Sequence, residues 1–536
     1  MPRLSDLAGA GILITLVAGL NGPAICAEKP AEIAMDQSQS AVLETRRATA
    51  DFRLRARKGD YIRGRARVES GRITLDLLDR KGVSSRRLVT DGAGDNRFFF
   101  MVQEDDPLLR ATAERAESAI TLIIDRQVAS EQQRKEETYL SPRLNALAEK
   151  LPDTTALETF WEEVKAEGTP IVEDASDGMK IVTFLARGAK RNVRILSAPS
   201  GDHEEMSRLA GTDIWYMSFS VPDTALLSYQ IAPDVPDVPG NARDRRVAIL
   251  ATSKADPLNK HPWPADAPDA FNQESTLALE NAPRAEWAEE SGGAKGEIRR
   301  LSVRSEQLGN ERDVYFYTPA GFDPSHPDNL LLFVFDAEKF LKAIPTPRIL
   351  DNMIAEDALP PTAAVFISPI DSTTRGKELA PNANFANFVA ETLLPLAEKE
   401  FGIDATPDRT IIAGSSFGGL AATSVAWSHP DSFGNVISLS GSFWWHADDA
   451  PPGRDNEVAW EIARADKKDL RYFLAAGLFE VGRRGTAAIL DMNRQLRDVL
   501  VAKGYPLFYQ EYAGGHDEFM WRIALADGLL ALFGEE

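Results

Sequence analysis

The stretch Thr410-Ile411-Ile412-Ala413-Gly414-Ser415-Ser416-Phe417-Gly418-Gly419 decides the fold of this chain. Its first four residues predict a short buried strand, and Leu420 to Trp427 continues with a helical pattern. Between them lies Gly-x-Ser-x-Gly, in which a serine occupies a sharp strand-to-helix turn that requires small neighbours. The sequence therefore predicts Ser416 as a nucleophile at the start of a helix.

Two backbone N–H groups are predicted to stabilise the negative charge that forms when Ser416 attacks a carbonyl carbon. N–H groups at the start of a helix have no acceptor within the helix, so the Phe417 N–H is the first of them. The second normally comes from the loop after the third strand, which reads Phe335-Asp336-Ala337-Glu338 here. We expect the Ala337 N–H to be that donor.

The chain on both sides of this motif predicts a mostly parallel sheet. Apolar runs recur after Ile298 with helical lengths between them, which is typical of a parallel sheet covered by helices on both faces. Residues 297–536 are therefore predicted to form an α/β-hydrolase domain. Its predicted strands are Asp313 to Thr318, Leu330 to Phe335, Ala363 to Ile367, Thr410 to Ala413, Val436 to Leu439, Arg471 to Ala476 and Leu507 to Tyr512.

A serine nucleophile needs a general base, which in this architecture is a histidine late in the chain. Three of the six histidines lie beyond Ser416. His429 ends the nucleophile helix, and His446 follows the next strand. His516 follows the last strand in Tyr512-Ala513-Gly514-Gly515-His516, where two glycines let the loop turn back over the sheet. The sequence therefore predicts His516 as the base.

The acid partner of the histidine is harder to choose, because either of two strands can supply it. Glu480 follows the penultimate strand in Ala476-Gly477-Leu478-Phe479-Glu480, which is the usual place. Asp448 and Asp449 follow the preceding strand and resemble a solvated loop. The sequence favours Glu480 and leaves the two aspartates as competing candidates.

The first residues, 1–27, read as a secretory signal. Arg3 precedes a short apolar stretch, and Ala27 is a small residue suited to cleavage. The only cysteine, Cys26, lies inside this segment, so the mature chain would use neither disulfides nor thiolate chemistry. We therefore expect a periplasmic protein without a stable membrane anchor.

The chain between the signal and the hydrolase domain predicts two β-sandwich modules. Residues 46–128 alternate between apolar and polar as strands do, residues 129–156 predict a helical linker, and residues 157–285 predict a second β domain. Hairpin turns in the first module are predicted at Lys58-Gly59-Asp60, Ser70-Gly71 and Lys81-Gly82.

Arginines recur at alternate positions in the first module. One row is Arg53, Arg55 and Arg57, and another is Arg63, Arg65 and Arg67. Alternate residues of a strand share a face, so each row predicts a charged outer face. A solvated surface explains these rows most simply, and a surface for an anionic partner is the alternative.

Composition limits the classes of function. With 536 residues, of which 43% are apolar, the chain is long enough for several folded domains. Its 81 acidic and 60 basic side chains give a net charge of -21, which would repel a nucleic acid backbone. We therefore exclude nucleic acid as a partner, and the sequence predicts neither a metal site nor a cofactor.

Several of these stretches together resemble the enterochelin (enterobactin) esterases, over roughly residues 157–536. In the C-terminal region the resemblance rests on Gly414-Ser415-Ser416-Phe417-Gly418-Gly419, Ser440-Gly441-Ser442-Phe443-Trp444-Trp445, Asp371-Ser372-Thr373-Thr374-Arg375-Gly376-Lys377-Glu378-Leu379 and Gly514-Gly515-His516-Asp517. Upstream it rests on Phe160-Trp161, Gly168-Thr169-Pro170, Gly211-Thr212-Asp213-Ile214-Trp215 and Asp256-Pro257-Leu258-Asn259.

This resemblance implies a function. Enterochelin esterases hydrolyse the tri-serine lactone backbone of catecholate siderophores and so aid iron release, which makes iron part of the substrate. By position in the motifs, Ser416, Glu480 and His516 would take the triad roles. Arg375 resembles the substrate-facing arginine of the family.

A ferric tris-catecholate is a bulky aromatic anion, so its site would contain arginines and flat aromatic surfaces. Arg375, Trp444 and Trp445 are the predicted substrate contacts. Arg483 and Arg484 are further candidates, although a solvated helix start explains them more simply.

Two other functions are compatible with the sequence. One is a general carboxylesterase acting on acylated carbohydrate or small aromatic esters, because a fold does not fix a substrate. The other is a non-catalytic protein that binds siderophores or carbohydrate through its β modules. The first β module and the signal segment are not features of the two-domain enterochelin esterases, and this leaves the ester substrate open.

Overall fold

The computed structural model describes residues 29–44, 48–113, 117–133, 139–197, 199, 203–451, 453–482 and 488–534. The chain forms two compact units, Met1–Glu137 and Thr138–Glu536. The predicted signal at residues 1–27 lies outside the described residues. None of the helices among the described residues is both long and apolar enough to cross a membrane.

The described part of the first unit is built from strands around one apolar core. These strands are β1 (Ala31–Ile33), β2 (Ser38–Leu43), β3 (Thr49–Leu54), β4 (Tyr61–Leu78), β5 (Ser84–Met101), β6 (Leu108–Ala113) and β7 (Ser118–Val128). They join in the order β1-β3-β6-β4-β7-β2, and β5 pairs with β4. Phe52, Phe98 and Phe100 are among the largest buried side chains of the core.

The turn predicted at Ser70-Gly71 is wrong. Strand β4 continues through both residues, and its pairing with β5 and β7 shifts register there. Gly71 has a φ of 73°, a conformation that glycine adopts without steric cost. An irregularity of this kind bends a strand without reversing it, and beyond Gly71 β4 continues by pairing with β5 and β6.

The second unit begins with helices and β-sheets. The helices are α1 (Pro142–Ala148), α2 (Thr154–Glu167) and α3 (Ala242–Leu250). The strands are β8 (Ile171–Asp174), β9 (Met179–Arg187), β10 (Val193–Leu196), β11 (His203–Glu205), β12 (Ser207–Arg208), β13 (Ile214–Pro222), β14 (Leu226–Pro233), β15 (Pro262–Trp263) and β16 (Glu274–Ala278).

Two sheets of this β domain enclose a common core. One has the order β11-β10-β14-β16-β15 and the other β12-β13-β9-β8. Phe184 of β9 and Tyr229 of β14 meet edge to face in this core, with ring centroids 4.7 Å apart. Helices α1 and α2 overlap the predicted helical linker, and Phe160 and Trp161 of α2 pack in a neighbouring cluster with Leu185.

The C-terminal part of the second unit contains a larger β-sheet with accompanying helices. Its strands are β17 (Glu297–Ser305), β18 (Asn310–Thr318), β19 (Leu330–Phe335), β20 (Thr362–Ile367), β21 (Thr410–Ser415), β22 (Asn435–Leu439), β23 (Arg471–Gly477) and β24 (Leu507–Tyr512). Its helices are α4 (Ala337–Leu341), α5 (Thr346–Ala355), α6 (Ser372–Glu378), α7 (Ala383–Asn387), α8 (Leu394–Phe401), α9 (Phe417–Ser428), α10 (Glu457–Arg464), α11 (Ile489–Ala502) and α12 (Glu518–Phe533).

These eight strands form one mixed sheet in the order β17-β18-β20-β19-β21-β22-β23-β24. β17, β18 and β20 pair antiparallel, and every pair from β20 to β24 is parallel. Alternate residues of β19 enter two separate cores, with Phe333 in one and Leu332 in the other. Burial on both faces explains why this strand is apolar throughout.

The parallel pairing positions the site. The carboxyl ends of β19, β21, β23 and β24 lie at the same edge of the sheet, so the loops that follow these strands meet there. Those loops carry the residues at positions 336–337, 416, 480 and 516.

Candidate active site

Ser416 lies at a strained turn between β21 and α9. Its backbone has φ 57° and ψ -121°, a conformation that non-glycine residues rarely adopt. The helix lies so close to the strand that a Cβ on Gly414 would be 2.5 Å from the carbonyl carbon of Gly418. The glycines of this motif therefore allow the close approach that presents the Ser416 hydroxyl at the sheet edge.

His516 contacts the Ser416 hydroxyl. Its Nε2 is 3.0 Å from Ser416 Oγ, the distance of a hydrogen bond. The ring packs edge-on against Trp521, with centroids 4.8 Å apart, and the Trp521 Nε1–H donates to Ser440 Oγ at 2.9 Å. The Trp521 contact fixes the imidazole plane, and 37% of the His516 side chain stays exposed to solvent.

Glu480 contacts the other imidazole nitrogen. Its Oε1 is 2.5 Å from His516 Nδ1, and its Oε2 accepts the Gly477 N–H at 2.7 Å. Only 1% of the Glu480 side chain is exposed. Gly477 also lies against the histidine loop, since a Cβ there would be 2.5 Å from the carbonyl oxygen of Gly514. Hydrogen bonds therefore link Ser416, His516 and Glu480.

The competing candidates lie elsewhere. His429 Nε2 is 3.0 Å from Asn387 Oδ1, and His446 Nδ1 is 3.0 Å from the carbonyl oxygen of its neighbour Ala447. Asp448 and Asp449 are exposed. The structure brings together the residues that the sequence favoured, gives the two histidines contacts of their own and leaves the two aspartates at the surface.

Ser442 lies next to the candidate nucleophile Ser416, and the sequence did not predict Ser442 as a site residue. Its Oγ is 3.2 Å from Ser416 Oγ, and its N–H donates to the carbonyl oxygen of Ser416 at 3.0 Å. Ser442 follows β22, the strand next to β21. That adjacency in a parallel sheet was the signal that could have identified it.

The two predicted backbone donors lie on helix starts that approach each other. Phe417 begins α9 and Ala337 begins α4, so neither N–H has an acceptor within its helix. A Cβ on Gly418 would be 3.5 Å from Asp336 Oδ2, which places the Ala337 loop beside the nucleophile helix. Asp336 has a φ of 60°, a left-handed conformation that aspartate tolerates better than most residues.

Arg375 holds this loop through Asp336. The guanidinium donates from Nε to Asp336 Oδ1 at 2.6 Å and from a terminal nitrogen to Oδ2 at 2.7 Å. Burial lowers the pKa of Arg375, but the hydrogen bonds and charge of Asp336 outweigh burial and raise it. The family resemblance implied that Arg375 contacts the substrate. In the structure the Arg375 guanidinium instead binds the Asp336 carboxylate, whose side chain is only 6% exposed.

Replacing Arg375 with methionine is expected to slow hydrolysis of charged and neutral esters by similar factors. Loss of the ion pair leaves Asp336 without its buried partner and releases the loop that holds the Ala337 N–H. We expect a loss in kcat of about ten- to a hundredfold. Rates on a catecholate trilactone and on a neutral p-nitrophenyl ester measure it. A loss confined to the trilactone would mean that Arg375 contacts the substrate instead.

Trp444 and Trp445 have different environments. Trp444 is 38% exposed, and its ring meets the edge of Phe417 at a centroid distance of 5.6 Å. Trp445 is partly buried and packs against the core. Trp444 therefore presents an aromatic surface next to the nucleophile helix, whereas Trp445 contributes mainly to packing. Arg483 and Arg484 lie outside the described residues.

The β domain contacts both loops that carry the acid and the base. The Leu226 N–H of β14 donates to the carbonyl oxygen of Ala513 at 2.9 Å, three residues before His516. Leu478 and Phe479, next to Glu480, pack against the core of the β domain together with Ala513. The β domain of the second unit therefore helps to hold the His516 and Glu480 loops.

A buried carboxyl group follows the histidine. Asp517 caps α12 by accepting the Met520 N–H at 3.1 Å, and among the described residues its Oδ2 has no hydrogen-bond partner. Burial, together with the nearby carboxylates Glu274 of the β domain and Glu518, raises the pKa of Asp517 to about 8, against the hydrogen bond from Met520. Arg522 is also nearby, and burial lowers its pKa. Asp517 therefore keeps its proton at neutral pH.

Replacing Asp517 with asparagine is expected to stabilise the protein at alkaline pH. The unfolded chain loses the Asp517 proton near pH 4, and the folded protein holds it until about pH 8. The wild type therefore loses stability between these values as pH rises, because the unfolded state binds fewer protons. Asparagine caps a helix equally well and does not ionise.

Thermal unfolding at pH 5 and pH 9 measures this effect. We expect the gain of the Asp517→Asn variant to be a few degrees at pH 9 and smaller at pH 5. Glu280→Gln removes an exposed carboxylate from the β domain, outside Asp517's own helix, and should change neither value. An equal shift at both pH values would rule out the ionisation of Asp517 as the cause.

Family models identify the class of protein. The model described as "Putative esterase" matches residues 305–532, and the model described as "Enterochelin esterase, N-terminal" matches residues 181–288. These matches cover the mixed sheet from β18 onwards with its candidate site, and most of the β domain. The chain is therefore a carboxylic ester hydrolase with an N-terminal domain and a C-terminal esterase domain.

Individual relatives show which family the chain belongs to. The iron(III) enterobactin esterase of Dickeya dadantii is 30% identical over 422 residues, which are 69% of this chain and 92% of the relative. That of Escherichia coli K12 is 30% identical over 402 residues, 70% and 96% of the two chains. The crystal structure of the Shigella flexneri enterobactin esterase, determined in the presence of enterobactin, has a TM-score of 0.56 at 28% identity and covers 70% and 97%. The chain belongs to the enterochelin (enterobactin) esterase family, as the sequence motifs predicted.

Proposed function

We propose that this chain is an exported serine esterase of the α/β-hydrolase fold that cleaves the tri-serine lactone backbone of a catecholate siderophore and so aids iron release. The observation that carries the proposal is the hydrogen-bonded series Ser416, His516 and Glu480 in a member of the enterochelin esterase family. The relatives are named for iron(III) enterobactin, which supports the same class of substrate here.

In the acylation step, Ser416 Oγ attacks the carbonyl carbon of a seryl ester. His516 Nε2 accepts the hydroxyl proton as the new C–O bond forms. Glu480 accepts a hydrogen bond from His516 Nδ1 and stabilises the imidazolium cation. His516 then gives its proton to the departing serine oxygen, and the ester C–O bond breaks. The product of this step is an acyl-enzyme and a free hydroxyl on the opened lactone.

Deacylation repeats the chemistry with water. His516 removes a proton from a water molecule, whose oxygen attacks the acyl carbon, and Ser416 leaves with the proton that His516 returns. Each cycle therefore consumes one water and produces one hydroxyl and one carboxylic acid, which releases its proton to give a carboxylate at neutral pH. The N–H groups of Phe417 and Ala337 are proposed to stabilise the oxyanion in both steps.

Substrate recognition is proposed to use the aromatic surface next to the nucleophile. The exposed ring of Trp444 can stack on a catechol arm. Trp445 and Arg375 contribute indirectly, Trp445 by packing under this loop and Arg375 by holding Asp336. Iron is part of the substrate, and the proposed chemistry needs no resident metal or cofactor.

Analysis of reaction products by mass spectrometry tests the substrate. The panel contains a catecholate trilactone with and without iron, a feruloyl ester and a short p-nitrophenyl ester. We expect the trilactone to give linear trimer, dimer and monomer of the acylated serine, at a kcat/KM above that of the other esters. Preference for the feruloyl ester would favour a general carboxylesterase, and turnover of none would favour a binding protein.

The proposal that the protein is exported rests on residues 1–27, which read as a secretory signal. Expression of the full chain in a Gram-negative host, followed by fractionation and N-terminal mass analysis, tests it. We expect a periplasmic protein that begins after Ala27. An uncut chain in the cytoplasm would contradict the proposal without affecting the assignment of the site.

A further inference from the structure

The two units differ in charge. The first unit holds 22 of the chain's 60 Lys and Arg residues and 21 of its 81 Asp and Glu residues. It is therefore nearly neutral, and the second unit carries the whole negative excess of the chain. The first unit can present a positive face to an anionic partner that the second unit would repel.

Such a face lies on the sheet formed by β4, β5 and β7. Arg63 is directly opposite Phe99 of β5 on one side and Arg126 of β7 on the other. Arg65, the next residue of the same row, is opposite Arg97. Residues directly opposite each other in an antiparallel pair share a face, and Arg63, Arg97 and Arg126 are all exposed.

Two of these cross-strand pairs, Arg63 with Arg126 and Arg65 with Arg97, place like charges opposite each other, which destabilises a sheet. Arg65 is neutralised by Asp125, which accepts its Nε–H at 3.0 Å. Within the part of the chain that the structure describes, Arg63, Arg97 and Arg126 have neither an ion pair nor a hydrogen bond from their side chains. Five other arginines of the unit have acidic partners: Arg55 with Glu32, Arg72 with Asp91, Arg80 with Glu104, Arg87 with Asp76 and Arg110 with Asp51. Arg53, Arg57, Arg67 and Arg86 have no such partner among the described residues and are not included in this face.

Large apolar side chains lie beside the unpaired arginines. Phe99 is 60% exposed and Met101, two residues further along β5, is 39% exposed. Met101 is opposite Tyr61, the first residue of β4. Alternate residues of a strand are about 7 Å apart and neighbouring strands about 4.8 Å, so the arginines can reach separate anions while Phe99 and Met101 enter the same surface.

We propose that this face, formed by Arg63, Arg97, Arg126, Phe99 and Met101, binds the surface of an anionic lipid membrane. Charge complementarity requires a partner with several closely spaced anions, and the two exposed apolar side chains require a partner with an apolar layer beneath them. Lipid headgroup phosphates above acyl chains supply both. A soluble polyanion supplies only the charge. Binding is peripheral and reversible, and it is independent of ester hydrolysis.

Cosedimentation of the full-length chain with vesicles tests the proposal. We expect binding to vesicles that contain phosphatidylglycerol, weaker binding as salt rises, and little binding to pure phosphatidylcholine. Arg63→Gln combined with Arg126→Gln should weaken binding by about 25-fold, because each basic residue near an anionic surface contributes about fivefold. Phe99→Ser should weaken it by about tenfold.

Matched variants separate this face from general charge effects. Arg243→Gln combined with Arg246→Gln removes the same charge from the exposed surface of α3 and should leave binding unchanged. All variants should keep the wild-type thermal unfolding curve, which reports folding of both units, and the wild-type rate on a p-nitrophenyl ester. The proposal is overturned if the wild type does not bind anionic vesicles, if the α3 variant weakens binding equally, or if Phe99→Ser binds as well as wild type. The last result would point to a soluble polyanion.

Discussion

Replacing Ser416 with alanine should abolish ester hydrolysis, with a fall in kcat of about a millionfold. The hydroxyl forms the bond to the acyl carbon, so no other group compensates for its loss. Within the described ranges, the hydrogen-bond partners of the Ser416 hydroxyl are His516 and Ser442. Its loss should therefore cost little stability, and the variant should unfold at the wild-type temperature. Active-site titration with an organophosphate, together with steady-state rates on the trilactone, measures the effect.

Ser442→Ala is the matched control for this variant. Ser442 is a nearby serine with a buried side chain whose hydroxyl lies 3.2 Å from the nucleophile. Because it forms no bond to substrate in the proposed mechanism, its loss should reduce kcat by about tenfold or less. If Ser416→Ala keeps more than a few per cent of the activity, or if Ser442→Ala is the more damaging change, Ser416 is not the nucleophile.

Replacing Glu480 with glutamine should lower kcat by about ten-thousandfold. The Gly477 N–H donates to one oxygen of Glu480, so it would hold the carbonyl oxygen of the glutamine. The amide nitrogen would then face His516 Nδ1 and donate to it. This forces the proton of the neutral imidazole onto Nε2, and a protonated Nε2 cannot accept the proton of Ser416.

Asp448→Asn and Asp449→Asn are the control variants for Glu480→Gln. Both aspartates are exposed, so their variants should keep activity within a factor of about two. The chemical shift of the imidazole protons of His516 provides a second readout, because only Glu480→Gln should change the tautomer. If all three variants are equally active, Ser416 and His516 work without an acid.

The sequence by itself determined the nucleophile motif and the sheet that carries it. Gly414 and Gly418 predict a tight turn because a side chain at Gly414 would clash with the helix, and this constraint is local in the chain. The apolar runs predict buried parallel strands for an equally local reason, since both faces of each strand are covered. The choice of His516 needed only the order of elements and two glycines.

The choice between the acids depended on tertiary structure. Glu480, Asp448 and Asp449 all follow strands of the same sheet. The sequence favours Glu480 only because the acid usually follows the penultimate strand of this architecture. Glu480 contacts a histidine 36 positions away, and this contact exists only because β23 and β24 are neighbours. Pairing between distant strands is set by the whole fold.

The partner of Arg375 was also decided by the fold. Family resemblance assigned this arginine to the substrate, whereas Asp336, 39 positions earlier, occupies its guanidinium in the structure. A motif records which residue type occurs at a position and does not record which carboxylate lies opposite it.

The bend at Gly71 has the same origin. Ser70-Gly71 is compatible with a hairpin or with an irregular strand, and the long pairing of β4 with β5 and β7 selected the strand. Local sequence therefore predicted the elements and the candidate nucleophile Ser416. Contacts between distant residues decided which carboxylate meets His516, the partner of Arg375 and the course of β4, because their free energy depends on residues that only folding brings together.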